Sequence, residues 1–301
     1  MGLFSLLFSP PAENTVHWYS RERDEVFLHA SPLDIAPLLA ERLYPKLEGI
    51  ILTSATLSSG EGFQYIDESL GLSAAPGETT YNVVESLFNY EERMRLYLPV
   101  FFPPVTGPLE ESAEGIATCA RAIADATERK VLVLFTSYRL LHAVHEIIGD
   151  GRDVFAQGID GPRSKVIERF KRAKGAAILL GTDSFWEGVD FPGSDLEILI
   201  ITRLPFPVPT DPVFSALGER LSAAGKDAFL DLSLPQAILK LRQGVGRLIR
   251  TKGDHGAVII TDQRILQKGY GKLFTAALPV AGRKVGNLDD LLCDLGTWFT
   301  G

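Results

Sequence analysis

The densest chemical signal in the chain is Gln243-Gly-Val-Gly246-Arg247-Leu-Ile-Arg250. Placed on a helix, Gln243, Gly246, Arg247 and Arg250 fall at i, i+3, i+4 and i+7 and share one face. Ile238, Leu241, Val245, Leu248 and Ile249 take the opposite face, which can dock on a sheet. Two arginines one turn apart, beside a glycine that admits close approach, suit a triphosphate, because a guanidinium stays charged and forks onto phosphate oxygens. The plainer alternative is the solvated basic face of an amphipathic helix.

A second cluster is Gly181-Thr182-Asp-Ser184-Phe-Trp186-Glu187-Gly188-Val-Asp190-Phe-Pro192-Gly193. Its hydroxyls and backbone N–H groups suit a nucleic-acid phosphate. Asp190 suits a ribose hydroxyl or the steadying of a catalytic arginine. Trp186 could stack on a base, although a tryptophan is more often core. The plain alternative for the stretch is a glycine-rich turn. Thr53-Ser54-Ala55-Thr56 could relay hydrogen bonds between sites, or cap a helix. Thr136-Ser137-Tyr138 opens a helix whose N-terminus could receive a phosphate, or is a plain N-cap.

These clusters follow apolar runs that read as strands. Strands are expected at Val26–Ala30, Gly49–Ser54, Arg95–Leu98, Lys130–Thr136, Asp153–Gln157, Ala176–Gly181, Leu196–Thr202 and Gly256–Thr261. Helices are expected at Pro32–Tyr44, Glu110–Glu128, Tyr138–Gly149, Gly161–Ala173, Asp211–Ala224, Pro235–Ile249 and Leu288–Phe299. Continuous runs such as VLVLF and LEILIIT fit strands buried on both faces, so the alternation predicts a doubly wound α/β fold with helices on both faces of a mostly parallel sheet. In such sheets ligands sit beyond the carboxyl ends of the strands, where the polar clusters lie. Gly, Ser, Pro and Thr gather between Ser58 and Ser86, which marks a boundary.

With 46% hydrophobic and 23% charged residues, the 301-residue chain has ordinary globular composition. The formal net charge of −8 is awkward for a nucleic-acid binder, but Gln236–Lys252 carries five basic residues and no acidic one. Cys119 and Cys293 alone cannot hold a four-thiolate metal site, and a reducing cytoplasmic setting is the default. No apolar run approaches the roughly 18 residues of a membrane span. Met1–Pro11 lacks the marks of a signal peptide.

Taken in order, TSATL, FTSY, GTDSFWEGVDFPG and QGVGRLIR resemble motifs III to VI of superfamily 2 helicases of the DinG/XPD-like branch. TRLPFPVPTDPV and the Asp262/Arg264 pair look like the same branch, and the resemblance runs from about Val16 to Leu292. It implies a RecA-like fold and a set of roles. Arg247 and Arg250 match the arginines that reach the γ-phosphate, one of them the arginine finger. Gln243, Gly246, Asp190, Glu187 and Gly188 match positions around the nucleotide. Thr136, Ser137, Tyr138, Thr182 and Ser184 match positions against the DNA backbone, and Thr53, Ser54, Ala55 and Thr56 the segment coupling hydrolysis to motion. The implied organisation is residues 1–60 as the end of a first motor domain, 61–85 as a linker, and 86–301 as the second motor domain.

No P-loop is present: GERLSAAGKD, starting at Gly218, has the wrong spacing and an aspartate after the lysine, and no DEAH-like box appears. The expectation is therefore the C-terminal half of a longer helicase, inactive alone. ATP and magnesium would be shared with a first motor domain elsewhere in the same protein. An iron–sulfur cluster is expected only in that other part. The partner implied is single-stranded DNA, tracked 5′ to 3′. The competing reading is a non-catalytic nucleic-acid-binding or regulatory module that kept the fold. A dinucleotide-binding dehydrogenase is disfavoured, since no G-x-G-x-x-G turn follows the first strand.

Overall fold

The computed structural model describes residues 14–300 except 55–56, 59–61, 85, 87, 150–152, 187–190, 192 and 252. The chain divides into two compact units, Met1–Val84 with Phe206–Leu239, and Glu85–Pro205 with Lys240–Gly301. Phe206–Leu239, part of the segment expected to run on to 301, thus falls in the first unit. The expected linker carries a helix, Gln64–Leu70, closed by Gly71 in the left-handed region at φ 64°.

The first unit holds an antiparallel hairpin, β1 (Thr15–Glu22) and β2 (Glu25–Pro32), in register from Thr15 opposite Pro32 to Glu22 opposite Glu25. Only the second strand was anticipated. The run Gly49–Ser54, expected as a strand, forms none. Its apolar side chains are exposed, Ile51 at 92%. A strand needs a ladder partner, and none is available to this run among the described residues.

The second unit is a seven-stranded, wholly parallel sheet built from β3 (Met94–Pro99), β4 (Lys130–Leu134), β5 (Asp153–Ala156), β6 (Ala177–Gly181), β7 (Ile198–Ile201), β8 (Gly256–Ile260) and β9 (Gly282–Val285). The spatial order is β5-β6-β4-β7-β8-β3-β9. Parallel neighbours need crossovers, and helices supply them. On one face, Val131, Val133, Ile198, Ile200, Ala257 and Ile259 pack under α1 (Leu109–Thr127), α2 (Tyr138–Ile148) and the C-terminal helix Leu288–Thr300. The alternate residues Leu132, Leu134, Leu179, Leu199 and Val258 are equally buried on the other face. Burial on both faces explains the unbroken apolar runs. Strand β9 was missed because it is a short edge strand, GRKV, with three exposed residues.

Local chemistry sets the helix ends. Helix α2 starts at Ser137, whose hydroxyl accepts from the Leu140 amide at 3.4 Å, and stops at Gly149, φ 62°. Helix α1 begins after Pro108 with Glu110 and Glu111 in its first turn, where carboxylates suit the helix dipole. Cys119 lies in the core on α1, and burial pushes its thiol up to about 12, whereas Cys293 is exposed. A thiol reagent applied to the native protein near pH 8 should therefore label Cys293 alone. Mass spectrometry of native and denatured samples checks this, and equal labelling of Cys119 in the native sample would contradict the buried position.

Candidate functional site at the carboxyl edge of the sheet

The polar clusters that follow β4, β5 and β6 meet at one edge of the second unit. Leu134 of β4 pairs with Gly181 of β6, and Ala156 of β5 with Leu180 of β6. The ladder runs one rung further through Phe135 N–H to Gly181 O at 2.8 Å and Gln157 N–H to Leu180 O at 3.0 Å. The residues that follow are therefore delivered side by side.

Gln157 joins them. Its Oε1 accepts from Thr182 N–H at 2.8 Å and from Thr182 Oγ1 at 3.1 Å. Its Nε2 donates to Tyr138 Oη at 2.8 Å and to Ser184 Oγ at 2.9 Å. Of the five residues assigned by resemblance to a DNA backbone, three are thus brought into one network. Tyr138 and Ser184 are exposed, while Thr182 is buried with its hydroxyl committed inward. Ser137 caps α2, as its plainer reading had it, and Thr136 is half-buried beside it. Sequence reasoning missed Gln157. The available signal was a polar residue ending an apolar strand just before Gly158, which sits at φ 79°.

A second tie joins the same segments. Trp186, on the short helix α3 (Asp183–Trp186), is fully buried and donates its indole N–H to Phe135 O at 3.1 Å. It is core and has no open face for a base. Gly181 makes room for this helix, since a Cβ there would lie 2.5 Å from Cγ of Phe185.

The QGVGRLIR segment corrects the helical-stripe expectation. The helix α4 (Leu234–Val245) ends four residues early. Gly246 N–H still donates to Arg242 O at 2.9 Å, but Leu248 N–H turns to Val245 O at 3.1 Å, and Arg250 lies outside the helix. Two glycines within three positions weaken the helix by about 1 kcal/mol each and allow this early stop. Of the four residues, only Gln243 is helical; it is half-buried. Arg247 is 4% exposed and Arg250 exposed. The glycine that admits close approach is Gly244, not Gly246: a Cβ there would meet Cε3 of Trp186 at 2.9 Å.

The loop carrying Arg250 is fixed by Asp254. That carboxylate accepts from Arg250 N–H at 2.8 Å, Thr251 N–H at 2.9 Å and Thr251 Oγ1 at 2.6 Å. Burial pushes its pKa up, but the Thr251 and Arg250 hydrogen bonds and the Arg250 charge outweigh this and hold it below the usual 3.8. Asp262, fully buried after β8, accepts from Leu204 N–H at 2.8 Å and pairs with Arg264 Nη2 at 2.7 Å, clasping the TRLPF segment to that strand.

Thr53 and Ser54 lie exposed in the first unit. Ala55, Thr56, Glu187, Gly188 and Asp190 lie outside the described residues. Among the described residues, no group of three or more His, Cys, Asp and Glu side chains is placed to hold a metal ion, and no helix is long and apolar enough to cross a membrane.

Comparison with known proteins places this geometry. A family described as helicase C-terminal domain matches residues 120–281. The 3′-5′ exonuclease DinG of Bacillus subtilis is 41% identical over 265 residues, 85% of this chain and 28% of that protein. The ATP-dependent DNA helicase YoaA of Escherichia coli is 34% identical over 269 residues, 89% of this chain and 41% of that protein. The chain therefore spans well under half the length of these relatives. An XPD helicase structure superposes with a TM-score of 0.62 at 21% identity, over 86% of this chain and 46% of that one. At that identity the likeness is one of fold, and it makes the parallel sheet RecA-like.

Because the Asp254 pKa is lowered on folding, its contribution is present above about pH 3.8 and fades as pH falls through the lower folded value. Asp254→Asn should cost about 1–2 kcal/mol at pH 7, and the gap to wild type should hold down to about pH 3.8 and narrow below it. Thermal melts of both proteins from pH 7 to pH 2 check this. A gap that stays constant with pH would show that the carboxylate charge contributes nothing.

Proposed function

Since the chain belongs to the helicase C-terminal domain family, we propose that it is the second motor lobe of a DinG/XPD-like ATP-dependent DNA helicase. On this reading it holds single-stranded DNA at the carboxyl edge of the sheet and completes an ATP site formed with a first motor lobe of the same protein. The observation that carries the reading is the convergence of Tyr138, Thr182 and Ser184 on Gln157. Exposed hydroxyls there suit a phosphate backbone.

The first lobe is supported by the apolar run Ile50–Leu52, exposed and without a strand partner among the described residues. It supplies what a strand from another part of the protein would pair with. The P-loop lysine and the magnesium ligands belong to that other lobe, since the sequence has neither a P-loop nor a DEAH-like box. ATP enters as substrate. Arg250, exposed on a loop braced by Asp254, acts as the finger that meets charge developing on the γ-phosphoryl group. Gln243, half-buried in the last turn of α4, is the residue of this segment assigned to the nucleotide. Arg247, being buried, supports the turn that presents Arg250.

The burial of Arg247 also gives weight to a second reading, a non-catalytic nucleic-acid-binding or regulatory module with the same fold.

Two measurements test these readings, and the second separates them. The 301-residue chain alone should hydrolyse ATP at background rate, with or without DNA. Helicase-like turnover by the chain alone would mean that the ATP site is complete within it. In the full-length protein, Arg250→Ala should lower DNA-stimulated ATPase about a thousandfold or more with the melting temperature unchanged. Arg247→Ala should lower both. Turnover that survives both substitutions rules out a finger in this segment and favours the non-catalytic module.

A further inference from the structure

Gln157 is 9% exposed, yet every hydrogen-bonding valence of its carboxamide is used. The network fixes the orientation of the amide. Thr182 N–H can only donate, so the atom 2.8 Å from it is the oxygen. The other atom is then the nitrogen, and it donates to Tyr138 Oη and Ser184 Oγ. A donor nitrogen occupies a lone pair on each hydroxyl and cannot receive its proton. Both hydroxyl protons must point elsewhere. Both residues are exposed, Tyr138 at 48%, so the open direction is outward.

The loop beneath is held to the same end. Asp160 Oδ2 accepts from Ala156 N–H at 2.7 Å, turning the chain directly after β5. Gly158, at φ 79°, runs close under the Tyr138 ring, where a Cβ would lie 3.6 Å from Cε1.

We infer that Gln157 is a positioning residue that sets Tyr138 and Ser184 as outward hydrogen-bond donors, so that this edge takes an acceptor-only ligand, the phosphodiester oxygens of a nucleic-acid strand. Base edges offer donors as well as acceptors, whereas phosphate oxygens only accept. A site polarised in this way grips a strand without reading its sequence. The inference rests on the reading that Tyr138 and Ser184 face nucleic acid.

The test is a double-mutant cycle on the full chain, read as the Kd for a fluorescein-labelled 20-nucleotide oligothymidylate by anisotropy at fixed salt. Gln157→Glu keeps an acceptor for Thr182 but turns the nitrogen donor into an oxygen acceptor, which draws both hydroxyl protons inward. It is expected to weaken binding about tenfold, as two hydrogen bonds of ordinary strength would. Tyr138→Phe with Ser184→Ala should weaken binding by a similar factor. Adding Gln157→Glu to that pair should change the Kd less than twofold, because the hydroxyls through which it acts are gone. If Gln157→Glu is neutral, or costs the pair a further tenfold through its charge, the role given to Gln157 falls while the nucleic-acid reading stands. If the Phe/Ala pair leaves Kd unchanged, the nucleic-acid reading falls and the role of Gln157 falls with it. Melting temperatures of all variants are measured alongside. Should Gln157→Glu not fold, Gln157→Met enters the same cycle, with the same non-additivity expected and additive effects overturning the role.

Discussion

Strands β4, β6, β7 and β8 are buried on both faces, and this constraint decides where polar chemistry can sit. A polar side chain in their interior costs roughly 1–3 kcal/mol or more unless it finds a partner, as Lys130 at the start of β4 does by donating to Lys171 O at 2.7 Å. The first tolerable positions lie one rung past the last ladder pair. Gln157, Thr182 and Thr202 stand one residue past it, and Thr136 and Asp262 two. Because the strands are parallel and end nearly level, Leu134 with Gly181, Leu134 with Ile201 and Ala156 with Leu180, these residues arrive at one edge together.

At that edge they satisfy one another. Gln157 binds Thr182, Tyr138 and Ser184, and Thr202 Oγ1 donates to Leu134 O at 2.9 Å. Thr261 Oγ1 donates to Thr202 O at 3.1 Å, and Asp262 clasps Leu204 and Arg264. These bonds tie Tyr138, Gln157, Thr182 and Ser184, from the segments after β4, β5 and β6, to one another. Trp186 adds an apolar rivet between two of them and packs against Gly244, which links the QGVGRLIR helix to the same edge.

Much of this was legible in the residue pattern. Continuous apolar runs announced β4, β6, β7 and β8, and the order of four short motifs announced the family. Besides strands β1 and β9, three features were not legible. The stop of α4 at Val245 depends on Gly244 and Gly246, which weaken a helix but do not forbid one; packing against Trp186 accompanies the outcome. The exposure of Ile50–Leu52 follows from the lack of a strand partner among the described residues, a non-local fact that a run of apolar residues cannot reveal. The hub at Gln157 was hidden because a single glutamine at a strand end has no periodicity.

The sequence alone determined β4, β6, β7 and β8, the strands buried on both faces, and the short polar stretches that follow them, because burial and period act within a few residues of each other. It also determined that no P-loop accompanies the arginines. Only the tertiary structure decided which of those polar groups meet, that Thr182 turns inward while Tyr138 and Ser184 face out, and that Arg247 is buried while Arg250 is exposed. Those outcomes depend on register between strands more than 20 residues apart and on the room left by neighbouring side chains. No local pattern encodes either quantity.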